Sequence, residues 1–204
     1  MIEVRPATRA DIGASAAMLA RAFEKDPVWR FIFPDASRPR RLRGMFDPLM
    51  QVYVGHAVAH VAVVDGGELP MGVALWGPPG HWRTSMREML PHVPAMARAF
   101  GVRGLPKLMD LQRIEHLHEP YGRQPHHYLG VLGTDPAQQG KGVGSALLAH
   151  TLGEVDEQGL GAYLESSNDA NVPFYGRHGF EVVGDYTFRG GGPTLKLMWR
   201  TPRV

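Results

Sequence analysis

Apolar residues recur at helical spacing in three stretches of this chain and gather into short strand-like runs between them. Ile12, Ala16, Leu19 and Phe23 follow one another at steps of four and three, which puts them on one face of a helix. Thr8 and Asp11 stand just ahead at capping-box spacing, where Thr8 can accept from an early helix amide and Asp11 can reach back. Leu42, Met45, Phe46, Leu49, Met50 and Tyr53 form a second helical face. Ala146, Leu147, Ala149, His150, Leu152 and Val155 form a third, closed by Gly159-Leu160-Gly161. Ile2 to Arg5, Ala57 to Val64 and Met71 to Trp76 read as strands, the last two joined antiparallel by Asp65-Gly66-Gly67. Tyr128 to Gly133, Ala162 to Glu165, Phe180 to Val183 and Thr194 to Trp199 complete the set, with a short helix at Val172 to Arg177. Asp26-Pro27 and Pro34-Asp35 predict a loop between the first two helices. From His81 to Glu119 no strand signal appears, and Pro91, Pro94 and Pro106 divide an Ala-, Met-, Leu- and Arg-rich stretch into short helices.

The order is strand-helix-helix-strand-strand, a helical insert, then strand-helix-strand-helix-strand-strand. It predicts a mixed α/β sheet with a parallel strand pair flanking the third long helix. Residues 1–204 suffice for a single domain, with 81–119 as a helical insertion between two parts of one sheet. Composition narrows the chemistry. A formal net charge of +2 supplies no field to gather nucleic acid or an anionic membrane. Cysteine is absent, which removes disulfides and thiolate zinc sites. No apolar run approaches the roughly 18 residues of a membrane span. Met1 to Pro6 lacks the apolar centre of a signal peptide, so a cytoplasmic location is expected. His116, His118, His126 and His127 have no carboxylate at helical ligand spacing. They read as surface histidines, and no metal site is expected. Arg38, Arg40, Arg41 and Arg43 read as a solvated helix face, because little aromatic character is interleaved with them.

The chemistry concentrates at Gln139-Gly140-Lys141-Gly142-Val143-Gly144-Ser145, between a strand and a helix. Spaced glycines let backbone approach a ligand, and the unpaired amides of the helix's first turn then face it, which suits a diphosphate. The spacing is wrong for a P-loop. A dinucleotide fingerprint beginning at Gly140 meets Ser145 where its third glycine belongs, and Asp135 to Gln139 lengthens a turn that should be tight. Gly140, Gly142 and Glu165 keep a nicotinamide-dependent oxidoreductase as a weak rival.

Gln139, Gly142 and Gly144 resemble the glycine signature of the GNAT superfamily of N-acetyltransferases. Asn171-Val172-Pro173-Phe174-Tyr175-Gly176-Arg177-His178-Gly179-Phe180 resembles a second segment of the same superfamily. With Leu164-Glu165-Ser166-Ser167, that segment is also similar to the puromycin N-acetyltransferase group. The resemblance implies a mostly antiparallel sheet with a splayed parallel pair. It implies acetyl-CoA as acyl donor, a small-molecule amine as acceptor, no nucleic-acid or membrane partner, and room for a homodimer. Leu132, Gly133 and Thr134 would offer backbone groups to the pantetheine arm, and Gln139, Gly140, Lys141, Gly142, Val143, Gly144 and Ser145 would hold the diphosphate. Asn171 would hydrogen-bond the coenzyme or cap the helix that follows it. Tyr175 would donate a proton to the departing thiolate. Glu165 would take the amine's proton, attract a cationic substrate, or simply end its strand in solvent. Trp76, Trp82 and Tyr53 line an acceptor pocket or pack in the core, and Phe174 packs in the core. A non-catalytic acyl-CoA-binding module remains the other alternative.

Overall fold

The computed structural model describes residues 1–56, 58–64, 66–81, 85–101 and 124–203. The chain opens with strand β1 (Ile2–Pro6), then helices α1 (Ile12–Ala22), α2 (Pro27–Ile32) and α3 (Arg38–Gly55). An antiparallel pair follows, β2 (Ala59–Val64) and β3 (Gly72–Gly77). A single turn, α4 (Met86–Met89), and a helix α5 over 93–101 precede β4 (His126–Thr134). The remainder is α6 (Val143–Glu157), β5 (Gly161–Ser166), α7 (Val172–Arg177), β6 (Glu181–Thr187) and β7 (Thr194–Arg200). Strands lie in the order β1-β2-β3-β4-β5-β7-β6, and every neighbouring pair is antiparallel except β4 and β5. The mixed α/β sheet with one parallel pair is therefore as the sequence pattern predicts.

Alternation along the strands sends side chains to two cores. Val61, Val63, Val73 and Leu75 face α1 and α3, joining Leu19, Leu42, Phe46 and Met50. Ala62, Ala74, Leu129, Ala162 and Leu164 face α6, joining Leu147, Leu148, Leu152 and Val155. The entry to α1 is fixed by Asp11, whose Oδ2 accepts from the Thr8 amide and the Thr8 hydroxyl, each at 2.7 Å. The Asp11 carboxylate also pairs in two bonds of 2.9 Å with the Arg5 guanidinium. That pairing, offset in part by burial, holds the Asp11 carboxyl down to about 2.

Four expectations need correction. Between α1 and α3 the sequence predicts a loop, but Asp26-Pro27 begins a helix. Asp26 Oδ1 accepts from the amides of Val28 (2.9 Å) and Trp29 (3.2 Å), and Pro27 occupies the first turn, where its missing N–H costs nothing. The last hairpin is longer than expected, since β6 runs on to Thr187. His126 and His127 are not surface histidines: they are 1% and 8% exposed. The His126 ring lies against Trp199, and its Nδ1 meets the Gln124 carbonyl at 2.7 Å, while His127 Nε2 meets Gln158 Oε1 at 3.0 Å. His116 and His118 lie outside the described residues. Half of the arginine cluster is structural. Arg38 donates to the carbonyls of Phe33 and Glu24, and Arg41 to that of Phe100, leaving Arg40 and Arg43 exposed. Within 81–119, the described residues 86–89 and 93–101 are helical, and Trp82 and Pro106 fall outside the described residues.

Candidate functional site

The parallel pairing is short. His126 to Leu129 pair with Gly161 to Leu164, and beyond that register the β4–β5 ladder stops. Glu165 and Ser166 continue along β7, and Val131 to Thr134 along β3. The strands thus part at Gly130, which is an extra residue in β4: Val131 faces Leu75, and Leu129 faces Trp76. A bulge here redirects the strand, and its glycine has a packing reason. A Cβ on Gly130 would stand 3.0 Å from the Tyr53 hydroxyl. The splay implied by the resemblance is present in this fold. Leu132, Gly133 and Thr134 lie on the stretch of β4 that borders it.

Above the opening, Asp135-Pro136 leads into the glycine loop. Gly140 and Gly142 have φ of +76° and +85°, which L side chains rarely adopt, and nothing lies within 4 Å of a Cβ at either. Their requirement is conformational. Gly144 is different, because a Cβ there would meet Phe174 Cζ at 3.3 Å. It lets α7 pack close to the start of α6. Val143, Gly144 and Ser145 occupy the first turn of α6, and Gln139 is exposed beside them. Val143 is buried in the α6 core, so it offers the loop its amide and not its side chain. Lys141 folds back on the loop, with Nζ donating to Ala137 O (2.9 Å) and Gln138 Oε1 (3.1 Å). Ser145 Oγ meets His178 Nε2 at 3.2 Å.

Below the opening stands Glu165. Tyr128 and Tyr163 are register partners across β4 and β5, and Glu165 follows two residues later on the same face. The Tyr128 hydroxyl donates to Glu165 Oε2 at 2.8 Å. Burial pushes the Glu165 carboxyl up to about 7, with the Tyr128 and Tyr163 hydroxyls acting the other way. It is no ordinary strand-end carboxylate in solvent. Burial, and then the charge of Glu165, raise the Tyr128 phenol well above 10.

Tyr175 is 9% exposed and sits against the rings of Phe174 and Phe180. Burial raises its phenol far above 10, and the carboxylate of Asp26 adds to the effect. Asp26 in turn accepts from the Ser167 hydroxyl, and burial lifts its own carboxyl above the usual range despite three donors. Asn171 is exposed and its side chain makes no cap to α7; Asn168 caps the 3-10 turn just ahead, Asp169–Asn171, accepting from the Ala170 amide at 3.0 Å. Phe174 is half-buried against α6. Trp76 is buried and Tyr53 borders a cavity.

Sequence reasoning missed Tyr128 and Asp26. Tyr128 was legible as a register neighbour once the parallel pair was drawn, since side chains two apart share a strand face. Asp26 reads in the sequence as loop punctuation, although an Asp-Pro step is also a helix-start signal.

The sheet opens between two parallel strands, under a glycine loop that begins a helix and beside the half-buried Glu165, as the resemblance to the acetyltransferase superfamily implies. The profile of the acetyltransferase (GNAT) family matches residues 25–180, and the chain belongs to that family. An uncharacterized N-acetyltransferase of Schizosaccharomyces pombe is 28% identical over 180 residues, 83% of this chain and 70% of that protein. A Corynebacterium glutamicum structure, named as histone acetyltransferase HPA2 and related acetyltransferase, superposes with a TM-score of 0.70 at 28% identity, covering 100% of this chain and 97% of that one. The polyamine N-acetyltransferase of Drosophila melanogaster, which forms N-acetylagmatine, shares the fold at TM-score 0.66 and 15% identity, over 98% of this chain and 100% of that one. The chain is an acetyltransferase of the GNAT fold. None of its described helices is long and apolar enough to cross a membrane.

Proposed function

We propose that this protein moves an acetyl group from acetyl-CoA to the primary amine of a small molecule by direct attack. The observation that carries the reading is Glu165, a carboxyl near 7 bonded to Tyr128 where β4 and β5 part. Such a group accepts a proton at neutral pH and gives it up again. Acetyl-CoA, as co-substrate, supplies the thioester. Leu132, Gly133 and Thr134 would pair its pantetheine arm from the β4 edge. The backbone of Gln139, Gly140, Lys141, Gly142, Val143, Gly144 and Ser145 would hold its diphosphate, and Asn171 would add a hydrogen bond. Glu165 takes the ammonium proton, directly or through Tyr128, freeing the nitrogen lone pair to attack the carbonyl carbon. As the carbon–sulfur bond breaks and its electrons pass to sulfur, Tyr175 donates its phenolic proton there, and the acylated nitrogen gives up its extra proton through solvent, which restores the phenol. A raised phenol stays protonated throughout neutral pH, as an acid must before it acts.

A small amine acceptor is also in keeping with the Drosophila relative of the same fold. The likeness to the puromycin group rests mostly on residues 164–167 and 171–180, with weaker support at 22–27 and 73–76, and leaves the acceptor open. The parallel pair is followed by antiparallel β6 and β7 and not by a second parallel half, which disfavours an oxidoreductase. A coenzyme-binding module without turnover has no use for a carboxyl tuned to about 7. The test is Tyr175→Phe, which keeps the ring and removes the donor. In single-turnover thiol release, where product release cannot mask chemistry, the rate should fall at least about tenfold. A wild-type rate would remove Tyr175 from the reaction.

A further inference from the structure

On the α3 face of the sheet, next to the amine-receiving end of the cleft, lies a cavity of about 120 Å³. Its described walls are apolar or aromatic at Val52, Tyr53, Val58, Trp76, Gly77 and Pro78, with His56, His81 and Glu88 as the polar side. Tyr53 joins it to the chemistry. The same side chain that lines the cavity puts its hydroxyl against Gly130, the residue at which β4 and β5 part. The Tyr53 phenol is also close enough to act on the ionisation of Tyr128, the hydrogen-bond partner of Glu165. A molecule with its amine at Glu165 and a short linker past Tyr53 would place its other end here.

We infer that this cavity receives a compact apolar group, a single aromatic ring or a short branched alkyl chain, carried by the amine acceptor. The inference rests on the acetyl-transfer reading and names the acceptor's chemical class. Size sets the first limit. An apolar cavity of about 150 Å³ holds one benzene ring, so about 120 Å³ matches a single ring or a short branched alkyl chain. Charge sets the second limit. Glu88 is the carboxylate among the described lining residues, and it already takes His56 Nε2 at 3.0 Å. Glu88 also accepts from the Ser85 amide at 2.8 Å, so a second ammonium at the tail would compete with two contacts already made there or lie unpaired among Val52, Val58 and Pro78, where a charge is costly. A ring needs no polar partner there and would bury apolar surface against Val52, Val58 and Pro78.

The experiment is a thiol-release assay with acetyl-CoA and three amines: ethylamine, 2-phenylethylamine and putrescine. The first two share their reacting end and differ only in the ring. The apparent KM for 2-phenylethylamine should lie at least about tenfold below that for ethylamine. In Val58→Phe, which fills the cavity from its wall, that ratio should collapse to within about threefold. Val58→Leu serves if the larger substitution does not fold. Equal KM values for the two amines, a preference for putrescine, or a ratio unmoved by filling the cavity would each overturn the inference. Saturation-transfer NMR with benzyl alcohol, a ring without an amine, separates this failure from failure of acetyl transfer. Transfer from wild-type protein to the alcohol that is lost on filling supports a ring site even if no amine is turned over. Absence of transfer from wild-type protein overturns it.

Discussion

Glu165 shows how far a single side chain departs from what its place in the sequence suggests. As a solvated carboxylate it would be ionised at every physiological pH, and its loss would hurt most at low pH, where free amine is scarce. A carboxyl lifted to about 7 reverses that expectation. For wild-type protein, kcat/KM should rise with pH through about 7, and Glu165→Gln should lose this limb, so the two rates converge at low pH. Equal pH profiles would reduce Glu165 to a structural part. Tyr128→Phe removes the donor that opposes the rise, and should move the same limb to higher pH. An unmoved limb would separate Tyr128 from Glu165. The shift also carries a stability cost. Between the unfolded carboxyl value near 4.5 and the folded value near 7, the folded state binds more protons, so stability falls as pH rises through this window. Chemical denaturation at pH 8 should therefore find Glu165→Gln more stable by on the order of 2 kcal/mol, with no difference at pH 4.

At the scale of elements, the strands and long helices were legible because their periods are simple and their faces amphipathic. α1 and α3 fall where Ile12 to Phe23 and Leu42 to Tyr53 recur, and α6 starts where the glycines end. What escaped was local chemistry with two readings. Asp-Pro marks a turn or a helix start, and only the tertiary pull of Val28 and Ile32 into the α3 core selects the helix. His126 and His127 are polar by residue type, and their burial depends on Trp199 and Gln158, more than 30 positions away. The glycine loop was found as a unit but not its division of labour. Gly142→Val should show it. A β-branched residue at φ +85° costs roughly 1–2 kcal/mol in backbone strain, and the loop should relax away from the cradle. Calorimetry on the folded variant should find acetyl-CoA bound at least about tenfold more weakly. Unchanged affinity would take the loop out of coenzyme binding.

Over the whole molecule, the succession of elements and the single parallel pair followed from the sequence; the place of β7 between β5 and β6 did not, and the opening between β4 and β5 came only from the family resemblance. No local pattern marks where pairing stops, because Val131 to Thr134 read as a continuous strand and are one, toward β3. Acid sensitivity belongs to this scale too. Asp11, with a carboxyl near 2, stabilises the fold by its full amount above the unfolded carboxyl value near 4, and loses this as pH falls toward 2. Urea unfolding of Asp11→Asn should show a loss of about 2 kcal/mol at pH 7 that shrinks between pH 4 and pH 2; a constant loss would assign the effect to packing. The sheet is also a mechanical object. Four residue pairs at the foot of β4 and β5 are the whole ladder between a four-stranded arm, β1 to β4, and a three-stranded one, β5 to β7. Those pairs pack beside the rings of His126, Tyr163 and Trp199, and α6 packs against strands of both arms. By geometry alone, any change in the angle between the arms is largest at their far ends, where Thr134 and Ser166 stand. The width of the opening is then expected to depend on packing at residues that do not border it.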